Sequence, residues 1–282
     1  MSALGFEDLR GKVAVLTGGT GVIGGALART LASAGVRLAI AGRDRGKAES
    51  IAARIAAETG GAVRGLGFDV LDRSALERAR EEIHALWGKV DILINGAGGN
   101  RPSATAGAET MVSPAGADRA STFFGLDTAG FDEVMQLNFT GTLLPTQVFA
   151  QDMVGKGGVI INISSMSALR PLTRVAAYSA SKAALDNLTL WLATHLAPQN
   201  IRVNALAPGF FLTEQNRFLM FDQKTGEKSP RARKIVAATP MARFGEVEEL
   251  QGAVLFLASD LSRFVTGIVL PVDGGFSAYS GV

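Results

Sequence analysis

No cysteine occurs in the 282 residues, and there are only two histidines, His84 and His195. The first absence excludes a disulfide framework and thiolate chemistry, and the second leaves little from which to build a zinc site, so no metal is expected. Both histidines fall in helical patterns and read as surface or packing residues. Net charge is also small: 28 Lys and Arg against 26 Asp and Glu leave +2, which gives no electrostatic case for nucleic acid or an anionic membrane as partner. One basic cluster, Lys224, Lys228, Arg231, Arg233 and Lys234, is interrupted by Glu227 and Pro230 and has no interleaved aromatics, as in a solvated segment. No apolar run approaches the ~18 residues of a membrane span, and no basic-then-apolar leader is seen, so the expected location is cytoplasmic.

What is present is apolar and rich in glycine: 47% hydrophobic residues and 34 Gly. Strand-like runs recur at 13–16, 38–41, 63–68, 92–94, 159–163, 202–206 and 268–271, mostly separated by helical patterns such as 74–86. That alternation predicts right-handed βαβ crossovers and a parallel sheet covered on both faces. No linker, repeat, coiled-coil heptad or low-complexity segment divides the chain, so residues 1–282 are expected to form one domain. Longer stretches around 100–125 and 210–241 are read as inserted loops that form a substrate rim.

The first run leads directly into Gly18, Gly19, Thr20, Gly21, Val22, Ile23 and Gly24, after which a helical stretch begins. Strand, glycine turn and helix in that order set backbone N–H groups and the positive end of a helix against a pyrophosphate. The expected fold is therefore α/β, a single-domain Rossmann-type doubly wound parallel sheet of about seven strands flanked by helices. The second run ends in Gly42, Arg43 and Asp44, where such a fold chooses its cofactor. An acid there takes the ribose 2′-OH of NAD and an arginine the 2′-phosphate of NADP. The sequence offers both: counting about twenty residues past the glycines points to Asp44, while Arg43 stands beside it.

Tyr178 and Lys182 lie four apart in a segment, 175–194, whose apolar spacing is helical, so both side chains are expected on one face. A free tyrosine ionises near pH ~10, and a neighbouring ammonium favours the phenolate, which suits Tyr178 to acid/base work near neutrality. Ser165, thirteen positions upstream, adds a hydroxyl for a substrate oxygen whose charge changes in the reaction. Without cysteine or a histidine base, Tyr178 is the natural base.

Taken in order, these motifs resemble those of classical short-chain dehydrogenases/reductases over almost the whole chain. Thr17 to Gly24 is similar to the family's cofactor loop, and Asp69-Val70 to the pair at the adenine. Asn95, Gly96, Ala97 and Gly98 resemble the segment under the cofactor, with Gly96 in place of an asparagine. Asn138 matches the helix asparagine whose carbonyl helps hold a water beside the lysine. Pro208, Gly209, Phe211 and Thr213 fall in the loop gripping nicotinamide and phosphate. The resemblance implies a Ser-Tyr-Lys mechanism: Tyr178 as general acid/base, Ser165 orienting the substrate, and Lys182 binding the nicotinamide ribose and lowering the tyrosine pKa. Arg43 follows the position where NAD users carry aspartate, here Gly42, so NADP(H) is favoured with NAD(H) possible. Two positions depart from the pattern: Val22 replaces the usual middle glycine, and Gly21 replaces the basic residue of many NADP users. A homotetramer is also implied.

A narrower resemblance, carried by segments 95–102, 165–173, 207–217, 239–245 and 272–282, is to the D-mannonate oxidoreductase, or fructuronate reductase, branch. It implies a sugar acid as the small-molecule partner. A carboxylate and a row of hydroxyls then have to be satisfied, and arginine's planar fork suits the carboxylate. Arg101, Met166, Arg174, Asn216 and Arg217 are the expected substrate residues, with Arg170 and Asn100 as further loop candidates. A 3-oxoacyl thioester reductase and a gluconate 5-dehydrogenase are the alternatives; a non-catalytic cofactor-binding protein would not need the serine, tyrosine and lysine together.

Overall fold

Strand β1 (Val13–Thr17) is buried along its entire length, which is why it reads as a continuous apolar run rather than an alternating one. It pairs in parallel with β2 (Arg37–Gly42) on one side and β4 (Ile92–Asn95) on the other. The remaining strands are β3 (Val63–Gly67), β5 (Gly158–Ile163), β6 (Ile201–Pro208) and β7 (Val269–Val272). The seven-stranded order is β3-β2-β1-β4-β5-β6-β7, with every pair parallel. The chain reverses direction across the sheet between β1 and β4, and ligands of such sheets bind outside the strands' C-terminal ends at that point. These coordinates are a computed structural model that describes residues 5–111, 119–213, 217–218 and 220–281.

Side chains alternate across the sheet and divide the core in two. Leu16, Ile40, Ile94, Ile161 and Leu206 face α1 (Val22–Ser33) and the helix Gln251–Ala258. Val15, Ala39, Leu93, Ile160 and Val203 face α3 (Arg73–Trp87) and the helix Gly141–Phe149. Between β2 and β3, α2 (Arg45–Thr59) starts where the Asp44 carboxylate accepts the Lys47 N–H and ends at Gly60, whose φ of 68° no branched residue would adopt easily.

The fold expectation holds, with strand ends shifted by one or two residues. The run expected at 268–271 pairs as Val269–Val272 because its register is set by β6, with Pro208 opposite Val272. After α4 (Thr128–Met135), α5 (Gly141–Phe149) and α6 (Met166–Leu169), the helix expected over 175–194 is α7, Ala176–Leu196. The helical path from Thr128 to Phe149 widens to a π turn at Gln136–Thr140, a local irregularity that is often found at functional positions. The described part of the 100–125 stretch forms short turns at Pro102–Ala104, Arg119–Ser121 and Phe123–Gly125. It is joined to the helix Pro230–Ala237 through Glu109, which accepts from Lys234 at 2.7 Å.

Candidate active site

At the end of β1 the chain turns through Gly18 at φ +70°, where a Cβ would lie 2.4 Å from the Gly96 carbonyl oxygen. Only glycine permits that approach, and it brings the first turn of α1 against the loop after β4. No side chain caps the start of α1, so its leading N–H groups remain available to an anion. A cavity of about 730 Å³ opens there, a size suited to a small ligand or cofactor.

Most residues expected to hold a cofactor border this cavity. Gly18, Thr20, Gly21, Val22, Ile23 and Gly24 form one wall, Arg43 closes the end beyond β2, and Asp69 with Val70 follows β3. Gly96, Ala97 and Gly98 form the floor, and Pro208, Gly209, Phe211 and Thr213 cover the far side. Asn95 lies beneath rather than on the wall: it is 1% exposed, and its amide donates to Thr146 and Asn162 at 3.0 and 2.9 Å. The two ribose candidates now separate. Asp44 is engaged as the cap of α2, whereas Arg43 borders the cavity. A Cβ at Gly42 would come within 2.7 Å of Thr20 Oγ1, so the Thr20 side chain fills the space that an acid at position 42 would need.

Ser165, Tyr178 and Lys182 meet at the same cavity. Ser165 ends the loop after β5 and caps the short helix Met166–Leu169, its hydroxyl accepting from the Ser167 N–H and hydroxyl at 3.2 and 3.0 Å. Tyr178 and Lys182 project from adjacent turns of α7, with Lys182 Nζ 5.8 Å from the tyrosine ring centroid. The ammonium donates to the Ile163 carbonyl at 2.7 Å. Burial depresses Lys182 to about 8, opposed by the nearby Asp186. Burial likewise pushes the Tyr178 phenol above its usual 10.0, and a hydrogen bond with Ser165 pulls it partway back. Desolvation of the phenol thus outweighs the Ser165 hydrogen bond.

Asn138 lies in the π turn, fully buried, and does not itself border the cavity. Its amide donates to the Gly99 carbonyl and Ser181 Oγ, and its Oδ1 accepts the Gly99 N–H, at 2.8 to 2.9 Å. It thus fixes the loop after β4 to α7, one residue from Lys182. Its own carbonyl accepts from Thr142 Oγ1 at 3.1 Å.

The expected substrate residues are more dispersed. Arg101 donates to Glu133 at 3.0 Å, Arg170 to the Ser277 carbonyl at 3.0 Å, and Arg174 to the Ala106 carbonyl at 2.7 Å. Arg217 lies over the Phe221 ring at 5.3 Å, and Met166 is buried at 2% exposure. None of these five borders the cavity. Asn100 donates to Thr105 Oγ1, while its Oδ1 is buried without a partner. Asn216 lies outside the described residues. Sequence reasoning missed Ser164 and Leu137, which also border the cavity. It also missed Asp186, although its spacing from Lys182 was a usable signal. Among the described residues there is no group of three metal-binding side chains, and no helix is long and apolar enough to cross a membrane.

A glycine-turn sheet with serine, tyrosine and lysine gathered at its switch point defines a nicotinamide-dependent oxidoreductase of the Rossmann type. The family model described as enoyl-(acyl carrier protein) reductase matches residues 19–277, and the chain belongs to the short-chain dehydrogenase/reductase family. It is similar to the uncharacterized oxidoreductase UxuB of Bacillus subtilis (strain 168), at 50% identity over 98% of each chain. A solved structure from Haemophilus influenza, assigned provisionally as a D-mannonate oxidoreductase and holding NAD, superposes with a TM-score of 0.92 at 47% identity, covering 97% of this chain and 98% of that one. A gluconate 5-dehydrogenase from Burkholderia cenocepacia, in complex with NADP and tartrate, follows at 0.83 and 33%, covering 97% and 99%. The protein is an NAD(P)-dependent short-chain dehydrogenase/reductase.

Proposed function

We propose that this enzyme interconverts D-mannonate and D-fructuronate, with NADP(H) as the favoured cofactor. The observation that carries the chemistry is the meeting of Ser165, Tyr178 and Lys182 at one cavity beside the uncapped start of α1. The nicotinamide supplies the hydride in reduction and accepts it in oxidation. Tyr178 gives its proton to the ketone oxygen as the carbonyl is reduced, and takes it back in the reverse direction. Ser165 orients that oxygen, while Lys182 holds the ribose and favours the transient phenolate. Asn138 positions the loop and helix that frame the lysine.

Support for a sugar acid comes from the provisional assignment of the Haemophilus structure and the tartrate in the Burkholderia one. Arg101, Arg174 and Arg217, with Asn216, are the proposed carboxylate and hydroxyl contacts. They reach substrate by exchanging the present partners of the arginines, and Met166 is a further proposed contact. The cofactor preference is supported by Arg43 at the cavity, Asp44 withdrawn as a cap, and Thr20 against Gly42. We place the enzyme in the cytoplasm as a homotetramer.

Initial rates with D-fructuronate and NADPH or NADH test this reading, beside an acetoacetyl thioester and a Tyr178→Phe control. The thioester is included because a 3-oxoacyl-[acyl-carrier-protein] reductase of Aquifex aeolicus is 35% identical. Fast hexuronate turnover lost in the control is expected; thioester activity alone removes the substrate assignment and leaves the chemistry.

A further inference from the structure

The mechanism above leaves one buried charge unused. Asp186 lies one helical turn beyond Lys182 on α7 and is 9% exposed, and neither of its carboxylate oxygens has a hydrogen-bond partner. Beside it, at the end of β5, the Ser164 hydroxyl is also buried without a well-formed hydrogen bond, near enough to steady the carboxylate but not to satisfy it. Unsatisfied buried carboxylates are rare and costly, so a native one calls for a reason. Among the described residues, the one hydrogen bond of the Lys182 ammonium goes to a neutral carbonyl, that of Ile163, which cannot compensate its charge. The two charges stand one turn apart on the same helix, and each acts on the other.

We propose that Asp186 is a positioning residue for the reaction: its buried carboxylate holds the positive charge on Lys182, so that Lys182 can act on Tyr178. Asp186 touches neither substrate nor cofactor and works only through the lysine. The electrostatics agree. Burial drives Lys182 toward its neutral form and Asp186 is what opposes it; burial raises the Asp186 carboxyl, while Ser164 and Lys182 hold it down. Among the described residues, no other charge intrudes from the elements packed on α7. Arg202 of β6 is turned to Ser259, Ser262 and Val265, and Asp132 and Glu133 of the helix Thr128–Met135 are exposed.

This inference rests on the Ser-Tyr-Lys reading, and its test separates the two. The pH dependence of kcat/KM for ketone reduction is measured for the wild type, Asp186→Asn, Ser164→Ala and Tyr178→Phe. Loss of the lysine charge is expected to set the alkaline limb of the wild type, from the value of about 8 to which burial lowers Lys182. Asparagine keeps the shape and removes the charge, and the limb should move about one pH unit lower. Ser164→Ala, which weakens the carboxylate's charged form, should move it the same way by less. The 15N shift of Lys182 Nζ, followed against pH, reads the same equilibrium without turnover. An unshifted limb or lysine titration in Asp186→Asn overturns the inference, as does a loss of activity uniform in pH with a lowered Tm. If Asp186→Asn does not fold, Ser164→Ala decides by the same criterion. Activity retained in Tyr178→Phe instead overturns the mechanism, whatever Asp186 does.

Discussion

Lys182 shows what the site demands of a single residue. Its ammonium is held at about 8 against a usual 10.5, so between those values the unfolded chain binds a proton that the folded protein does not. Stability therefore rises with pH across that window, by roughly 3 kcal/mol in all. Replacing Lys182 with methionine should abolish that rise: urea melts of the two proteins should converge or diverge by that amount between pH 8 and 10.5. Parallel pH dependences would show that the lysine is not desolvated in solution. Cofactor choice is likewise a residue-scale matter. Arg43→Ala should raise KM for NADPH about tenfold, the worth of one charge-assisted hydrogen bond, and leave KM for NADH nearly unchanged. Gly42→Asp alone should weaken both cofactors because Thr20 occupies its space; pairing it with Thr20→Gly should restore NADH. Equal effects of Arg43→Ala on both cofactors would remove the NADP preference.

At the scale of elements, the strands and helices that position the site are held by contacts far from it. Asp152, with a fully buried side chain, accepts from Arg80 at 2.8 Å, from His84 at 2.6 Å and from the Val90 N–H at 3.0 Å. It binds α3 to the entry of β4. His84, expected as a surface or packing residue, is one of its ligands. Burial pushes the Asp152 carboxyl up, but His84, the Val90 N–H and Arg80 together hold it below its usual 3.8. A depressed acid stabilises the fold at pH above its unfolded value, and that contribution is lost as pH falls through the folded one. Asp152→Asn should cost about 3 kcal/mol in denaturant melts at neutral pH, since it leaves the partly buried Arg80 without its counter-charge and takes the carboxylate from the His84 ring and the Val90 N–H. It should spare kcat/KM, because Val90 precedes β4 while the cavity lies beyond its other end. This contact was not legible in the sequence: its partners are 68 and 72 positions apart. The present partners of the arginines were not legible for the same reason, as nothing local announces that Arg170 will meet Ser277. What was legible was local: the glycine turn after an apolar run, the tyrosine four positions before the lysine, and strands long enough to be buried on both faces. Asp186 was equally local and was overlooked because an acid in an apolar helix reads as a solvent-facing residue.

At the scale of the whole molecule, α7 links chemistry to assembly. Its N-terminal half presents Tyr178 and Lys182 to the cavity, and further along Leu185, Leu192 and Ala193 are buried against the sheet. The outward side shows Leu190 at 47% and Trp191 at 56% exposure, the tryptophan stacked on His195 with centroids 4.5 Å apart. Large apolar side chains displayed together on a helix favour burial against another surface, which in the proposed homotetramer is a second copy of the same helix, since a two-fold interface is self-complementary. A glutamate at position 191 would then set two like charges face to face in that interface. Sedimentation at micromolar concentration should show Trp191→Glu as a smaller species than the wild type, with a Tm that no longer rises with protein concentration. Wild-type protein that sediments as a 29.4 kDa monomer would remove the tetramer, and Trp191 would then be a surface residue whose exposure only His195 relieves. Retained turnover in a dissociated Trp191→Glu would show that one subunit orders Tyr178 and Lys182 unaided. Turnover lost along with assembly would show that the packed helix sets their geometry.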